Sequence, residues 1–143
     1  MAERYYLDSN TVIAIIERNT PPTEAQTAFL RAAEDGEIAA LSSDLTLSEC
    51  LVRPIRDGNK SLIEAILAFL DGGDALPLAP LGRTIMIRSA ELRAAFGMKL
   101  PDAVHVACAR EAGCTVMLSA DKAMRLPPGM RRISWDDLGK EPA

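Results

Sequence analysis

The chain has 143 residues, 48% of them apolar and 25% charged, with a net charge of −4 and a pI of about 5.0. One domain over 1–143 with a proper core is expected at this length, and no apolar run approaches the roughly 20 residues of a membrane span. The acidic balance argues against gripping nucleic acid by bulk positive charge, but leaves room for an acidic site neutralised by divalent metal.

The leading Met1-Ala2-Glu3-Arg4 lacks the basic-then-apolar pattern of a signal peptide. Arg4–Asp8 reads as a strand, and Ser9 to Arg18 as a helix with Ser, Asn and Thr available for capping. Thr20-Pro21 is expected to open a second helix, which Gly36 stops. Ile38–Ser42 is a second strand. Asp44 is placed to cap a helix running to about Arg56, with Pro54 kinking or ending it early. Asn59-Lys60-Ser61, formally a glycosylation sequon, reads as a helix start, and the helix Ser61–Leu70 ends at Gly72-Gly73.

Ala75–Leu78 is a short strand weakened by Pro77. Pro80–Phe96 is an amphipathic helix, with Leu81, Ile85, Ser89, Leu92 and Phe96 at helical spacing and Gly97 closing it. Pro101–Ala112 is a buried helix, Cys114–Ser119 an apolar strand and Met130–Ile133 a last short strand. Ser134-Trp135-Asp136-Asp137 resembles a capping box, and Trp135 is expected to anchor the brief helix that follows. Cys50, Cys108 and Cys114 have an odd count and no metal-type spacing, so reduced thiols in a cytoplasmic protein are expected.

Strands alternating with helices imply right-handed crossovers and a parallel sheet covered on both faces. Ligands bind such sheets beyond the carboxyl ends of the strands, where strand order reverses. Asp8 stands at the end of the first strand, where a charge costs solvation free energy unless it is paired or coordinated. Asp121 follows the strand ending near Ser119 in a similar way, although an Asp there also suits a turn. Asp102 lies beside Pro101 at a helix N-terminus, where dipole complementation is the ordinary reason for an acid. Glu49 shares a helix face with Leu45 and Val52, which are expected to face inward. If Leu47 and Leu51 define the buried stripe instead, Glu49 is simply solvated.

Four converging carboxylates stay ionised together only with compensating positive charge. With one histidine and no cysteine pair, zinc is disfavoured. An all-oxygen set suits Mg²⁺ or Mn²⁺, and the chemistry such ions support best is phosphodiester hydrolysis. His105, one helical turn after Asp102, is read as structural or substrate-adjacent.

The segments LDSNTVI, TLSE, LPDAVHVACA and LSADKAM, in this order and covering essentially the whole chain, resemble the PIN-domain nucleases, most closely the VapC-type toxins of bacterial toxin–antitoxin modules. The resemblance implies a three-layer α/β/α fold with a central parallel sheet of about five strands in the order 3-2-1-4-5. It implies an Mg²⁺- or Mn²⁺-dependent endoribonuclease cleaving RNA, a cognate antitoxin covering the site, and a toxin homodimer. By position, Asp8, Glu49, Asp102 and Asp121 match the catalytic, metal-binding acids; Ser119 and Asn10 match supporting polar residues. There is one departure. Ala123 and Met124 stand where many relatives carry a further Asp, often followed by Phe, which weakens the case for a second metal position.

An apolar partner surface is expected among the helices after Pro54 and around Pro80–Phe96. Two other enzyme classes fit less well. A phosphatase with Asp8 as nucleophile would want an acid where Asn10 stands, and a phospho-receiver would want an acceptor Asp in Leu76–Leu81. The non-enzymatic alternative is a PIN-like module that binds RNA or protein without cutting.

Overall fold

The computed structural model describes residues 3–140; the ends of the expected 1–143 domain, 1–2 and 141–143, lie outside them. Five parallel strands form one sheet in the order β3-β2-β1-β4-β5. They are β1 (Arg4–Leu7), β2 (Ala39–Ser43), β3 (Leu78–Ala79), β4 (Val116–Leu118) and β5 (Arg131–Ile133). The helices are α1 (Ser9–Ile16), α2 (Glu24–Glu34), α3 (Asp44–Asp57), α4 (Lys60–Phe69), α5 (Arg83–Phe96) and α6 (Leu100–Glu111), and a 3-10 turn covers Trp135–Asp137.

Successive strand residues point to opposite faces of a sheet, and here they feed two separate cores. Leu7, Val116 and Leu118 join Val12, Phe29, Ile66 and Trp135 in one. Tyr6, Leu41 and Met117 join Leu92, Val104, Val106 and Cys108 of α5 and α6 in the other. The result is the three-layer α/β/α architecture that the alternating elements imply. The strand order reverses between β1 and β4, since the chain leaves β1 for β2 on one side and β4 for β5 on the other. The carboxyl end of β1 therefore opens on the crevice.

Several boundaries differ from expectation for local reasons. The second helix starts at Glu24, because Thr23 and Gln26 form a reciprocal capping box and Pro21 and Pro22 precede it. Gly36 stops it at a φ of 75°, a region costly for residues with a Cβ. Helix α3 is not shortened by Pro54 and runs on to Asp57; its N-cap is Ser43, and Asp44 lies inside the first turn. Asn59 caps α4 by accepting from the Leu62 N–H at 3.1 Å, as the helix-start reading of the sequon requires. The third strand begins only at Leu78. Pro77 has no N–H to donate, but its carbonyl accepts from the Ser42 N–H at 3.0 Å. Helix α5 begins at Arg83, which leaves Pro80 and Leu81 outside it, while Ile85, Ser89 and Leu92 form its buried stripe as expected. Trp135 is buried against Phe29 with ring centroids 5.7 Å apart, and Ser134 caps its turn. Among the described residues no helix is long and apolar enough to cross a membrane.

Candidate active site

Asp8 follows directly on β1 and is 6% exposed. Its backbone N–H continues the sheet to the Leu118 carbonyl at 3.2 Å, and its Oδ1 accepts from the Thr11 N–H at 2.9 Å, capping α1. The Thr11 hydroxyl also donates to the Leu118 carbonyl, at 2.7 Å, so α1 is pinned to the end of β4. The strand–carboxylate–helix arrangement is therefore a cap and a site wall at once.

Asp8, Asn10, Glu49, Asp102 and Asp121 line one cavity of about 180 Å³, together with Ser9, Ile13, His105 and Met124. That is several times the ~30 Å³ a water molecule occupies in the liquid. All four acids singled out from the sequence meet there. Ser119 is not among the lining residues. It is fully buried, and its hydroxyl accepts from the Asp121 N–H at 3.1 Å, shaping the turn that carries this acid. Asp121 also accepts from the Ala123 N–H at 3.0 Å, so it forms a turn as well as lining the cavity.

Glu49 reaches the cavity by a different route from the one expected. Val52 is 59% exposed, and the buried residues of α3 are Thr46, Cys50 and Pro54, with Leu47 and Leu51 half-buried on their flank. Leu45 packs partly buried against the core of α5 and α6, as expected, whereas Val52, two turns on, turns out to solvent. Glu49 lies on the edge nearest α6, and its Oε1 accepts from the Ser9 hydroxyl at 2.5 Å and lies 2.6 Å from His105 Nε2.

The charge states differ around the cavity. The hydrogen bond with His105 holds the Glu49 carboxyl below its usual range, and Ser9 adds to this against the effect of burial. Burial pushes Asp102 up, and the carboxylates of Asp121 and Asp8 push it further, against the pull of His105 and Lys99. The repulsion that the sequence implied is thus present at Asp102.

Sequence reasoning passed over Ser9, which it counted only as a capping residue, and Tyr6. It left His105 undecided. A signal for His105 existed: it is the one polar side chain in the otherwise apolar run Ala103–Ala109, and a buried imidazole needs partners. Its Nδ1 lies 2.7 Å from the Tyr6 hydroxyl, which in turn lies 2.8 Å from Ser43 Oγ.

The all-oxygen donor set is the kind that hard divalent cations take. As the side chains stand, no three His, Cys, Asp or Glu groups among the described residues are arranged to hold an ion. The fit is therefore one of donor chemistry, with the four acids sharing one cavity.

The PIN domain family model matches residues 5–128. This chain belongs to the PIN domain family. Its match runs from β1 through the turn after Asp121, so all four cavity acids fall within the PIN segment. Among solved structures, the chain is similar to VapBC2 from Rickettsia felis bound to a promoter DNA fragment, with a TM-score of 0.72 at 16% identity over 92% of this chain and 98% of that one. It is also similar to DNA-bound VapBC from Salmonella typhimurium, with a TM-score of 0.63 at 22% identity over 93% and 98% of the two chains. A toxin–antitoxin complex from Klebsiella pneumoniae matches with a TM-score of 0.63 at 18% identity over 92% and 97%. At these identities the likeness is one of fold. No match was found among curated proteins.

Proposed function

We propose that this PIN domain is a metal-dependent endoribonuclease, the toxin of a toxin–antitoxin pair. The observation that supports this reading best is the meeting of Asp8, Glu49, Asp102 and Asp121 in one cavity beyond the carboxyl ends of β1 and β4. Mg²⁺ or Mn²⁺ bound there would supply a hydroxide nucleophile at neutral pH and neutralise charge on a phosphodiester.

The chain's own residues perform the rest. Asp8 has Oδ1 tied to the helix cap, leaving its other oxygen for the cavity. Asp102 and Asp121 approach from the α6 N-terminus and the turn after β4, and their mutual repulsion favours a bound cation. Asn10 is exposed at the rim, where its amide can donate to a phosphate oxygen. A chain with net charge −4 would then hold RNA locally, through the site rather than by its overall field.

The partners proposed are RNA, a cognate antitoxin and a second copy of the chain. The antitoxin follows from fold neighbours that are named as VapBC or toxin–antitoxin complexes.

The test is cleavage of a structured RNA by the purified chain with Mg²⁺ or Mn²⁺, in comparison with chelator, for wild type and Asp8→Asn. Asparagine caps a helix as well as aspartate does, so the fold should persist while cleavage falls by orders of magnitude. Metal-independent cleavage, or full activity in Asp8→Asn, would refute the assignment. RNA binding without cleavage under every metal condition would favour the non-catalytic module.

A further inference from the structure

The four-residue chain Ser43–Tyr6–His105–Glu49 runs from the sheet interior to the cavity wall. Ser43 and Tyr6 are 0% exposed and His105 is 4% exposed, whereas the Glu49 side chain is 33% exposed. Ser43 belongs to β2, Tyr6 to β1, His105 to α6 and Glu49 to α3, so the chain ties four elements together. Ser9 of α1 meets it at the cavity end. A network that served only to satisfy a buried histidine could end on any buried acceptor. This one ends on a carboxylate that faces the cavity.

A carboxylate that has given up its proton only accepts. The 2.6 Å contact with the Glu49 carboxylate oxygen therefore places an imidazole proton on Nε2. At the other ring nitrogen, the Tyr6 hydroxyl prevents the ring from turning over without loss of its partner. Both hydrogen bonds to the Glu49 side chain fall on Oε1. The carboxylate is held at two points on one oxygen, and Oε2 is the atom left for the cavity.

Taking the metal-dependent reading above as given, we propose that His105, buttressed by Tyr6, is a positioning residue that clamps Glu49 Oε1 with Ser9 and so aims Oε2 at the cation. Partners of this kind, behind a ligand, fix its orientation, and their loss typically costs about 10–100-fold in metal affinity.

His105 is the chain's single histidine, so imidazole nitrogen NMR on the tag-free protein reads it directly. An Nε2-bound, exchange-protected proton is expected, displaced in Glu49→Gln, while Tyr6→Phe moves the Nδ1 signal instead. In parallel, calorimetric titration with Mn²⁺ should show about tenfold or weaker binding in His105→Ala. His105→Gln, which keeps an N–H donor near Nε2, should recover part of that loss. Tyr6→Phe should weaken binding less than His105→Ala, which gives a second reading if the alanine variant does not fold. Wild-type Mn²⁺ affinity in a folded His105→Ala chain overturns the clamp while leaving the metal-dependent reading intact. An Nε2 signal indifferent to Glu49→Gln also overturns it. Failure of the wild type to take up Mn²⁺ overturns the metal-dependent reading itself, and is recognised because no variant is involved.

Discussion

At the scale of single residues, the cavity acids should respond differently to pH. The folded-state pKa of Glu49 is depressed by the bond with His105 from an ordinary 4.5. Its ionised form therefore contributes stability that is present above about pH 4.5 and lost as pH falls through the lower folded value. In chelator, Glu49→Gln should melt below wild type at neutral pH, and the gap should close under acid. A gap independent of pH would count against the ionised bond. Asp102 is the opposite case: burial and the Asp121 and Asp8 charges raise it above an ordinary 3.8. Its contribution is fully present below that value and lost as pH rises through the folded pKa. Asp102→Asn in chelator should therefore melt at or above wild type at pH 7, and a clear drop would show that Asp102 has a stabilising partner instead. Asp8, Asp102 and Asp121 were legible because an acid at a strand end or a helix start interrupts an apolar pattern. Tyr6 and Ser9 were not, because a tyrosine in a strand and a serine at a helix start are what those elements ordinarily contain.

At the scale of elements, the caps predicted best where they are purely local. Asn59 and Ser134 accept from the backbone three residues on, as their spacing implies. The α2 start was missed because the stronger signal, the Thr23–Gln26 box, lies just past the prolines. Thr23→Ala should cost about 1 kcal/mol in a denaturant melt, the usual worth of such a cap. The neighbouring Gly139 has a φ of 84°, and a Cβ there would lie 2.5 Å from Ala25 Cβ. Gly139→Ala should thus be destabilising through both strain and overlap, and should loosen the Trp135 turn from α2; tryptophan fluorescence that stays native-like across the melt would contradict this. Helix α3 shows the limit of periodicity. Leu45, Glu49 and Val52 satisfied the helical spacing, yet tertiary packing buries Thr46, Cys50 and Pro54, keeps Leu45 half-buried and leaves Val52 exposed.

At the scale of the molecule, cation binding restricted to the native state should raise the melting temperature by mass action, by about 2.7 kcal/mol of stability at one hundred times Kd. Millimolar Mn²⁺ that leaves the wild-type melt unchanged would remove support for the metal site. The proposed antitoxin has a candidate surface that overlaps in part with the one expected after Pro54: Ile55 on α3 and Leu67 on α4, with Val52 just before Pro54, are 60%, 47% and 59% exposed, on two helices that pack together. An amphipathic helix laid there would bury them. Ile55→Asp should weaken co-purification with the product of the neighbouring antitoxin gene while RNA cleavage by the free chain is kept. Undiminished co-purification would place the partner elsewhere.

From its sequence alone, the chain determined the alternation of strands and helices, the buried character of α6 and the acids that break apolar runs, because each of these is written in local spacing. A parallel sheet follows from that alternation, and the order 3-2-1-4-5 from the family likeness. Which face of α3 turns inward, and which hydroxyl and imidazole meet Glu49, were decided only by tertiary packing. Those contacts join residues 40 and 56 positions apart. Hydrogen-bond geometry over such separations depends on how whole helices dock, and no local period encodes that docking.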